Sequence, residues 1–286
     1  MRRQHGALPL GRRTVLALVL ASLAGLLAFG WPLVLSPGSG LEHGTDAPLV
    51  LAAVLVAVIA VVMVALGDGG IDVKAIAVLG LLSAVGAVLR PLSAGTAGIE
   101  TVFVVIILGG RVFGPGFGFA LGSTTIFASA LITGGVGPWM PFQMLAASWL
   151  GLGAGLLPRR VRGRREILLL AAYGAVGAFA FGWSMNLSFW PFQIGSGTSL
   201  SFVAGDPVVD NLRRFVLYSA ATSLGWDLGR AVTTCLGLAV LGRPLLAALR
   251  RTAARASFGP LPPSREPDDP DGSDATRRVH APTSPA

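Results

Sequence analysis

The chain has 286 residues, 53% of them hydrophobic and 13% charged, with a mean hydropathy of +0.70. A water-soluble domain carries about 25% charged residues, so the composition excludes a soluble enzyme, a disordered chain and a collagen-like chain, and points to a multispanning membrane protein. The net charge of +8 fits basic cytoplasmic loops rather than a nucleic-acid surface. Cys235 is the one cysteine and lies inside an apolar run, which excludes a disulfide framework.

Charge-free stretches define the spans, taking about 20 apolar residues per crossing. Residues 14–35 follow Arg12-Arg13; their apolar core is too long for a signal peptide and no A-x-A site follows, so they predict an uncleaved helix. A second span covers about 49–66, and a third 73–89, bounded by Asp72, Lys74 and Arg90. A short apolar stretch at 99–111 ends in Gly109-Gly110-Arg111. The charge-free run 112–158 must turn, and Gly134-Gly135-Val136-Gly137-Pro138 is where it does so. That yields spans at about 116–133 and 141–157. Two more follow, at 166–185 and about 213–241.

Charge decides whether 99–111 crosses. With eight spans and both termini in the cytoplasm, 18 of the 22 Lys and Arg fall inside, including Arg2, Arg3, Arg12, Arg13 and the cluster Arg159–Arg165, while Arg90, Arg213 and Arg214 fall outside and Arg230 within the membrane. With seven, the cluster would face away from the N-terminus, against the positive-inside rule. The expectation is therefore an all-α integral membrane protein of about eight helices in the cell's inner (plasma) membrane, with Gly134–Pro141 and Asn186–Asn211 outside. Residues 251–286 are expected to be a disordered cytoplasmic tail: from 256 onward there are seven prolines and almost no large apolar side chain after Leu261.

Much chemistry is missing. His5, His43 and His280 all lie outside the spans, and neither an H-E-x-x-H motif nor a Cys/His cluster is present, so no metal site and no cofactor are expected. Lys74 is the only lysine and is not part of G-x-x-x-x-G-K-[ST], so the chain has no P-loop for ATP. Ser123 lacks the G-x-S-x-G setting of a nucleophile. An enzyme is not expected.

Three features remain. Gly114-x3-Gly118-x3-Gly122, Ala147-x3-Gly151-x3-Gly155 and Gly225-x3-Gly229 each put small residues on one helix face, a pattern that serves close packing within the chain. A near-repeat, Trp139-Met140-Pro141-Phe142-Gln143 and Trp190-Pro191-Phe192-Gln193, lies on the expected outer side, the second copy opening a loop at 186–212. Aromatic faces with amide groups suit a large, partly apolar ligand, so Trp139, Phe142, Gln143, Asn186, Trp190 and Gln193 are candidate pocket residues. The alternative for single tryptophans is an aromatic belt at the headgroup level. Arg90 and Glu100 form a possible ion pair at the mouth of that site. Asp227 and Arg230, three apart, share one face of the last span and are expected to pair, with Arg230 snorkelling toward the cytoplasm.

From residue 72 to about 250 the order of elements resembles the substrate-binding (S) component of energy-coupling-factor (ECF) vitamin transporters. The resemblance rests on Ile76–Leu92 with Arg90-Pro91, on the short span Val102–Leu108, and on Gly109-Gly110-Arg111-Val112-Phe113-Gly114-Pro115-Gly116-Phe117-Gly118, which is similar to a G-x-x-x-G-P-x-x-G turn. It also rests on Trp139–Met144 and on Arg213–Arg230 with Tyr218, Thr222-Ser223 and Trp226-Asp227. It implies a six-helix core at 71–250 preceded by a two-helix membrane extension at 1–70. It also implies a membrane T component and two cytoplasmic ATPases as partners, a vitamin or related micronutrient (cobalamin-like) as ligand, and no nucleic acid. In the family, small residues on the first core helix face the T component; Gly80, Ser83, Ala84 and Ala87 are the nearest equivalents here. An ion-coupled secondary transporter using Asp227 and a non-transporting scaffold are the alternative readings.

Overall fold

The protein is described by a computed structural model over residues 7–8, 10–34, 47–67, 72–93, 98–193 and 197–256. The expected tail from 257 onward lies outside these residues. Among them there are only helices: α1 (Arg12–Phe29), α2 (Trp31–Val34), α3 (Ala47–Gly67), α4 (Val73–Ser93), α5 (Val102–Phe113), α6 (Pro115–Thr133), α7 (Met140–Leu156), α8 (Arg164–Gln193), α9 (Val208–Thr222) and α10 (Leu224–Ala256). Five of these (α1, α4, α6, α8 and α10) contain stretches long and apolar enough to cross a bilayer, and shorter apolar stretches lie in α3 and α5. Large apolar side chains stay exposed on the bundle surface, among them Leu27, Val64, Leu81, Leu236 and Val240, as befits helices solvated by lipid.

Contacts at the helix ends give the arrangement. At one end, Arg90 of α4 reaches Gln143 of α7, and Asn186 of α8 reaches Ser223, between α9 and α10. At the other, Arg111 of α5 meets Glu166 of α8, which also meets Arg250 of α10, while Lys74 of α4 donates to the carbonyl of Ala256. The long helices thus alternate in direction, and the bundle has an Arg90 end and an Arg111 end.

Small residues decide how closely α6 and α7 approach. A Cβ on Gly118 would meet the backbone of Gly151, one on Gly122 that of Ala147, and one on Gly155 that of Pro115. The two glycine-spaced faces therefore lie against each other, antiparallel, backbone to backbone. Gly110 of α5 also abuts Gly151, which draws α5 into the same junction. Gly225, by contrast, faces open space.

Helix α5 is the centre of the bundle, with ten of its 12 residues buried and α4, α6, α7, α8 and α10 around it. At 1.5 Å per residue it is only about 18 Å long, roughly 10 Å shorter than the 19-residue α6. The turn at Gly114 (φ 100°) brings the C-terminus of α5 level with the start of α6. The shortfall therefore falls at the N-terminus of α5, on the Arg90 end.

The last span differs from the expectation of one helix over about 213–241. The chain breaks at Ser223, where Ser223 N–H donates to the carbonyl of Ser219 and Asp227 N–H to the carbonyl of Ser223. The second piece runs to Ala256, six residues into the stretch read as tail. The piece before the break, α9, has two faces: it buries Phe215 and Tyr218 and leaves Leu212, Arg213 and Val216 exposed. α8 also runs further than expected, so Ser188–Gln193 form its last turns rather than opening a loop. Pro191 lies in the last turn of α8, so the bond lost with its N–H and the clash of its ring with the preceding turn leave little helix beyond them to disturb.

The two N-terminal long helices are tied to the rest of the molecule. Trp31 Nε1 donates to the carbonyl of Ser188, Trp149 Nε1 donates to Ser22 Oγ, and Phe29 packs against Phe142 and Trp149. α1 and α3 lie along α6, α7 and α8.

Candidate functional site

Above the short α5, at the Arg90 end, is a cavity of about 310 Å³. Four elements build it: the end of α4 gives Arg90 and Pro91, the approach to α5 gives Gly98, Ile99 and Glu100, the end of α6 gives Ser129 and Thr133, and the start of α10 gives Trp226 and Arg230. Gly98 has a φ of 75°, and a Cβ there would strike the backbone of Trp226, so only glycine lets the α4–α5 connection lie this close to α10. Thr101 Oγ1 donates to the carbonyl of Leu89 and ties that connection back to α4.

The cavity walls carry both signs of charge. Arg90 Nη2 donates to Gln143 Oε1 at 2.8 Å, and Nη1 is 3.5 Å from Ser129 Oγ. Arg230 Nη1 pairs with Asp227 Oδ1 at 2.8 Å, and its guanidinium lies over the Phe181 ring. Asp227 itself is 1% exposed, and Gly182 leaves room for the pair, since a Cβ there would meet both side chains. Glu100 sits just before the N-terminus of α5, where the helix dipole favours a negative charge.

Not all of these groups are satisfied. Among the described residues six buried side-chain polar atoms have no hydrogen-bond partner, and three of them are Glu100 Oε1, Asp227 Oδ2 and Arg230 Nε. Buried polar atoms are nearly always paired, and leaving one unpaired costs about 1–3 kcal/mol, more for a charged group. Two of these three atoms belong to residues that line the cavity, Glu100 and Arg230, and the third belongs to Asp227, which pairs with Arg230.

The family model of the ECF transporter substrate-specific component matches residues 74–233, more than half of the chain. The chain belongs to that family. No curated protein and no solved structure matches it. As an ECF substrate-specific component it is a transporter subunit and a multi-pass membrane protein. The match begins within α4, so α1–α3 lie outside it, while the residues lining the cavity, Arg90 to Arg230, lie inside it.

The ECF component distributes its sequence-expected site residues unevenly. Arg90 and Glu100 line the cavity, and Gln143 accepts a hydrogen bond from Arg90. Phe142 is 1% exposed and packs edge-on against Phe29 and Phe189. Trp190 is fully buried in a second cluster with Phe202, Phe215 and Tyr218, and its Nε1 donates to the carbonyl of Leu200 at 2.7 Å. Both rings are already covered by protein. Trp139 is 45% exposed and folds over Gly137. Asn186 bridges to Ser219 and Ser223. The side chain of Gln193 lies outside the described residues. The two Trp-Pro-Phe-Gln elements have opposite roles, since Pro141 occupies the first turn of α7 and Pro191 the last of α8, so they do not form a symmetric pair.

Arg230 corrects another expectation. The break at Ser223 puts it in the second turn of α10, at the Arg90 end, where it lines the cavity instead of snorkelling toward the cytoplasm. With Trp226, Ser129 and Thr133 it was not read as a site residue; the signal was Thr222-Ser223 followed by Asp227, a polar helix start inside a long apolar run. On α4, Gly80 and Ala84 lie on the exposed face, whereas Ser83 and Ala87 turn into the bundle, Ser83 hydrogen-bonding Thr124 at 2.7 Å.

Proposed function

We propose that this chain is the substrate-binding subunit of an ECF-type ABC importer and that the cavity at the Arg90 end is its substrate site. The observation that carries the proposal is a cavity inside the family-matched segment lined by Arg90, Glu100 and Arg230, two of which hold buried polar atoms without a partner among the described residues. The Arg90 end faces outward and the termini are cytoplasmic, in accord with the distribution of basic residues. The captured molecule is a vitamin or related micronutrient. A volume of about 310 Å³ lies at the small end of ligand pockets, so it favours a small compound; a cobalamin-like ligand is far larger and would require the α4, α6 and α10 ends to move apart. Uptake is driven by ATP through a T component and two ATPases, and the exposed Gly80 and Ala84 on α4 suit close contact with a partner helix.

Native mass spectrometry of the detergent-purified chain tests the site. A small metabolite retained by the wild type and lost from both Arg90→Gln and Glu100→Gln is the expected result. Retention by both variants would rule this cavity out as the substrate site.

A further inference from the structure

We infer that the ligand of this cavity is amphoteric: a small molecule that offers a cationic or N–H donor group to Glu100 and an anionic or carbonyl acceptor group to Arg90 and Arg230. The inference rests on the reading of the cavity as the substrate site and names the chemistry that site accepts.

The cavity presents a carboxylate on one side and guanidinium groups on the other. Glu100 lines the cavity, and its Oε1 has no hydrogen-bond partner among the described residues. As a carboxylate it only accepts hydrogen bonds, so its complement must donate. Arg230 lines the cavity as well, its Nε without a partner among the described residues, and a guanidinium only donates, so its complement must accept. Arg90 is held in place from behind by Gln143 Oε1 at 2.8 Å, which fixes a second guanidinium at the cavity wall. Asp227 engages Arg230 through Nη1 at 2.8 Å and leaves the Nε edge free of protein partners among the described residues.

A ligand of one sign cannot satisfy both walls. A purely anionic molecule would meet Arg90 and Arg230 but bring its charge beside Glu100 and leave Oε1 unpaired. A purely cationic one would satisfy Glu100 and face two guanidinium groups. Discrimination by such unpaired or like charges is how polar sites reject near-misses. Ser129 and Thr133, whose hydroxyls both donate and accept, add no preference of sign, and Trp226 adds an aromatic surface.

The same geometry predicts that Glu100 costs the empty protein stability. Replacing it by the isosteric glutamine removes a buried unpaired charge, so Glu100→Gln raises the unfolding midpoint of the ligand-free protein while weakening binding. A residue serving only structure would move both in the same direction.

Isothermal titration of the full chain in detergent with three matched probes tests this: para-aminomethylbenzoate, which carries both groups, benzylamine, which carries only the cation, and para-methylbenzoate, which carries only the anion. Saturable binding of the first, at least about tenfold tighter than either of the others and weakened about tenfold or more by Glu100→Gln, is expected from the loss of one charge-assisted hydrogen bond. Equal binding of a one-sign probe, no binding of para-aminomethylbenzoate, or indifference to Glu100→Gln overturns the inference. Its failure is separable from failure of the site itself. A retained metabolite of a single charge sign, lost from Arg90→Gln, would refute the ligand chemistry and leave the substrate site standing, whereas retention by both cavity variants would refute the site.

Discussion

Arg111 is the strongest test of how the Arg111 end is held. Its side chain is 2% exposed and makes four hydrogen bonds: Nε to Glu166 Oε1 at 2.7 Å, Nη1 to the carbonyl of Leu157 at 2.9 Å, and Nη2 to the carbonyls of Pro158 and Val161 at 3.1 and 3.0 Å. It thereby ties the connection between α7 and α8 to the end of α5 through three carbonyls that lie beyond Leu156, and it neutralises a buried carboxylate. Arg111→Met keeps the approximate shape and removes all four bonds. Breaking a buried ion pair from one side costs about 3–5 kcal/mol. Arg250 also contacts Glu166, at 2.6 Å, but its side chain is 36% exposed, and ion pairs of that kind contribute about 0–1 kcal/mol. Arg250→Ala should therefore cost far less than Arg111→Met, and adding Glu166→Gln to Arg111→Met should recover part of the loss, because the two residues share one interaction. Reversible unfolding in mixed micelles gives these free energies, and proteolysis within 158–163 reports the freed loop. An Arg111→Met cost under about 1 kcal/mol, or an equal cost for Arg250→Ala, would refute the reasoning.

Gly151→Val should prevent close packing of α5, α6 and α7, since its Cβ would strike the backbone of Gly118; the folded fraction in gel filtration should collapse, while Gly225→Val, facing open space, should leave it unchanged. Gly98→Ala should loosen the cavity rather than the bundle, so ligand retention should fall while the unfolding midpoint moves little. Cysteines introduced at 160 and 200 of a Cys235→Ser background should label from opposite sides of intact cells, 200 alone from outside; the reverse pattern would invert the proposed orientation. Trp190→Ala should cost about 3–5 kcal/mol of stability, as for a fully buried tryptophan.

The helical membrane fold was legible because charge-free length and glycine spacing are local signals. That Gly118 and Gly151 each lie on a close-packing helix face could be anticipated from their four-residue periods, whereas their meeting each other is set by the fold. Parity of basic residues selected α5 as a span although it is shorter than a bilayer is thick. Elements set by tertiary contacts were not legible. The break at Ser223 carries no proline, only the weak polar start of Thr222-Ser223 and Asp227, and its consequence, that Arg230 joins Arg90 and Glu100 at one end, depends on which residues α10 begins with. The aromatic motif misled for a similar reason: Trp190 and Phe142 look like exposed ring faces at a loop, yet each is covered by partners distant in sequence, Phe202 and Phe215 in one case and Phe29 in the other. Charged residues near span ends are what the proposed site rests on, because an ionisable group next to the hydrocarbon is costly.

The central claim is that this chain binds substrate in the Arg90–Glu100–Arg230 cavity and depends on partner ATPases for uptake. The most direct measurement is accumulation of the co-purifying metabolite in liposomes holding this chain with and without its T component and ATPases, with ATP enclosed on the ATPase side. The account predicts concentrative uptake only for the complete assembly, abolished by Glu100→Gln and by Arg90→Gln. Concentrative uptake by this chain alone under an ion gradient, or full uptake by either cavity variant in the assembly, would contradict it.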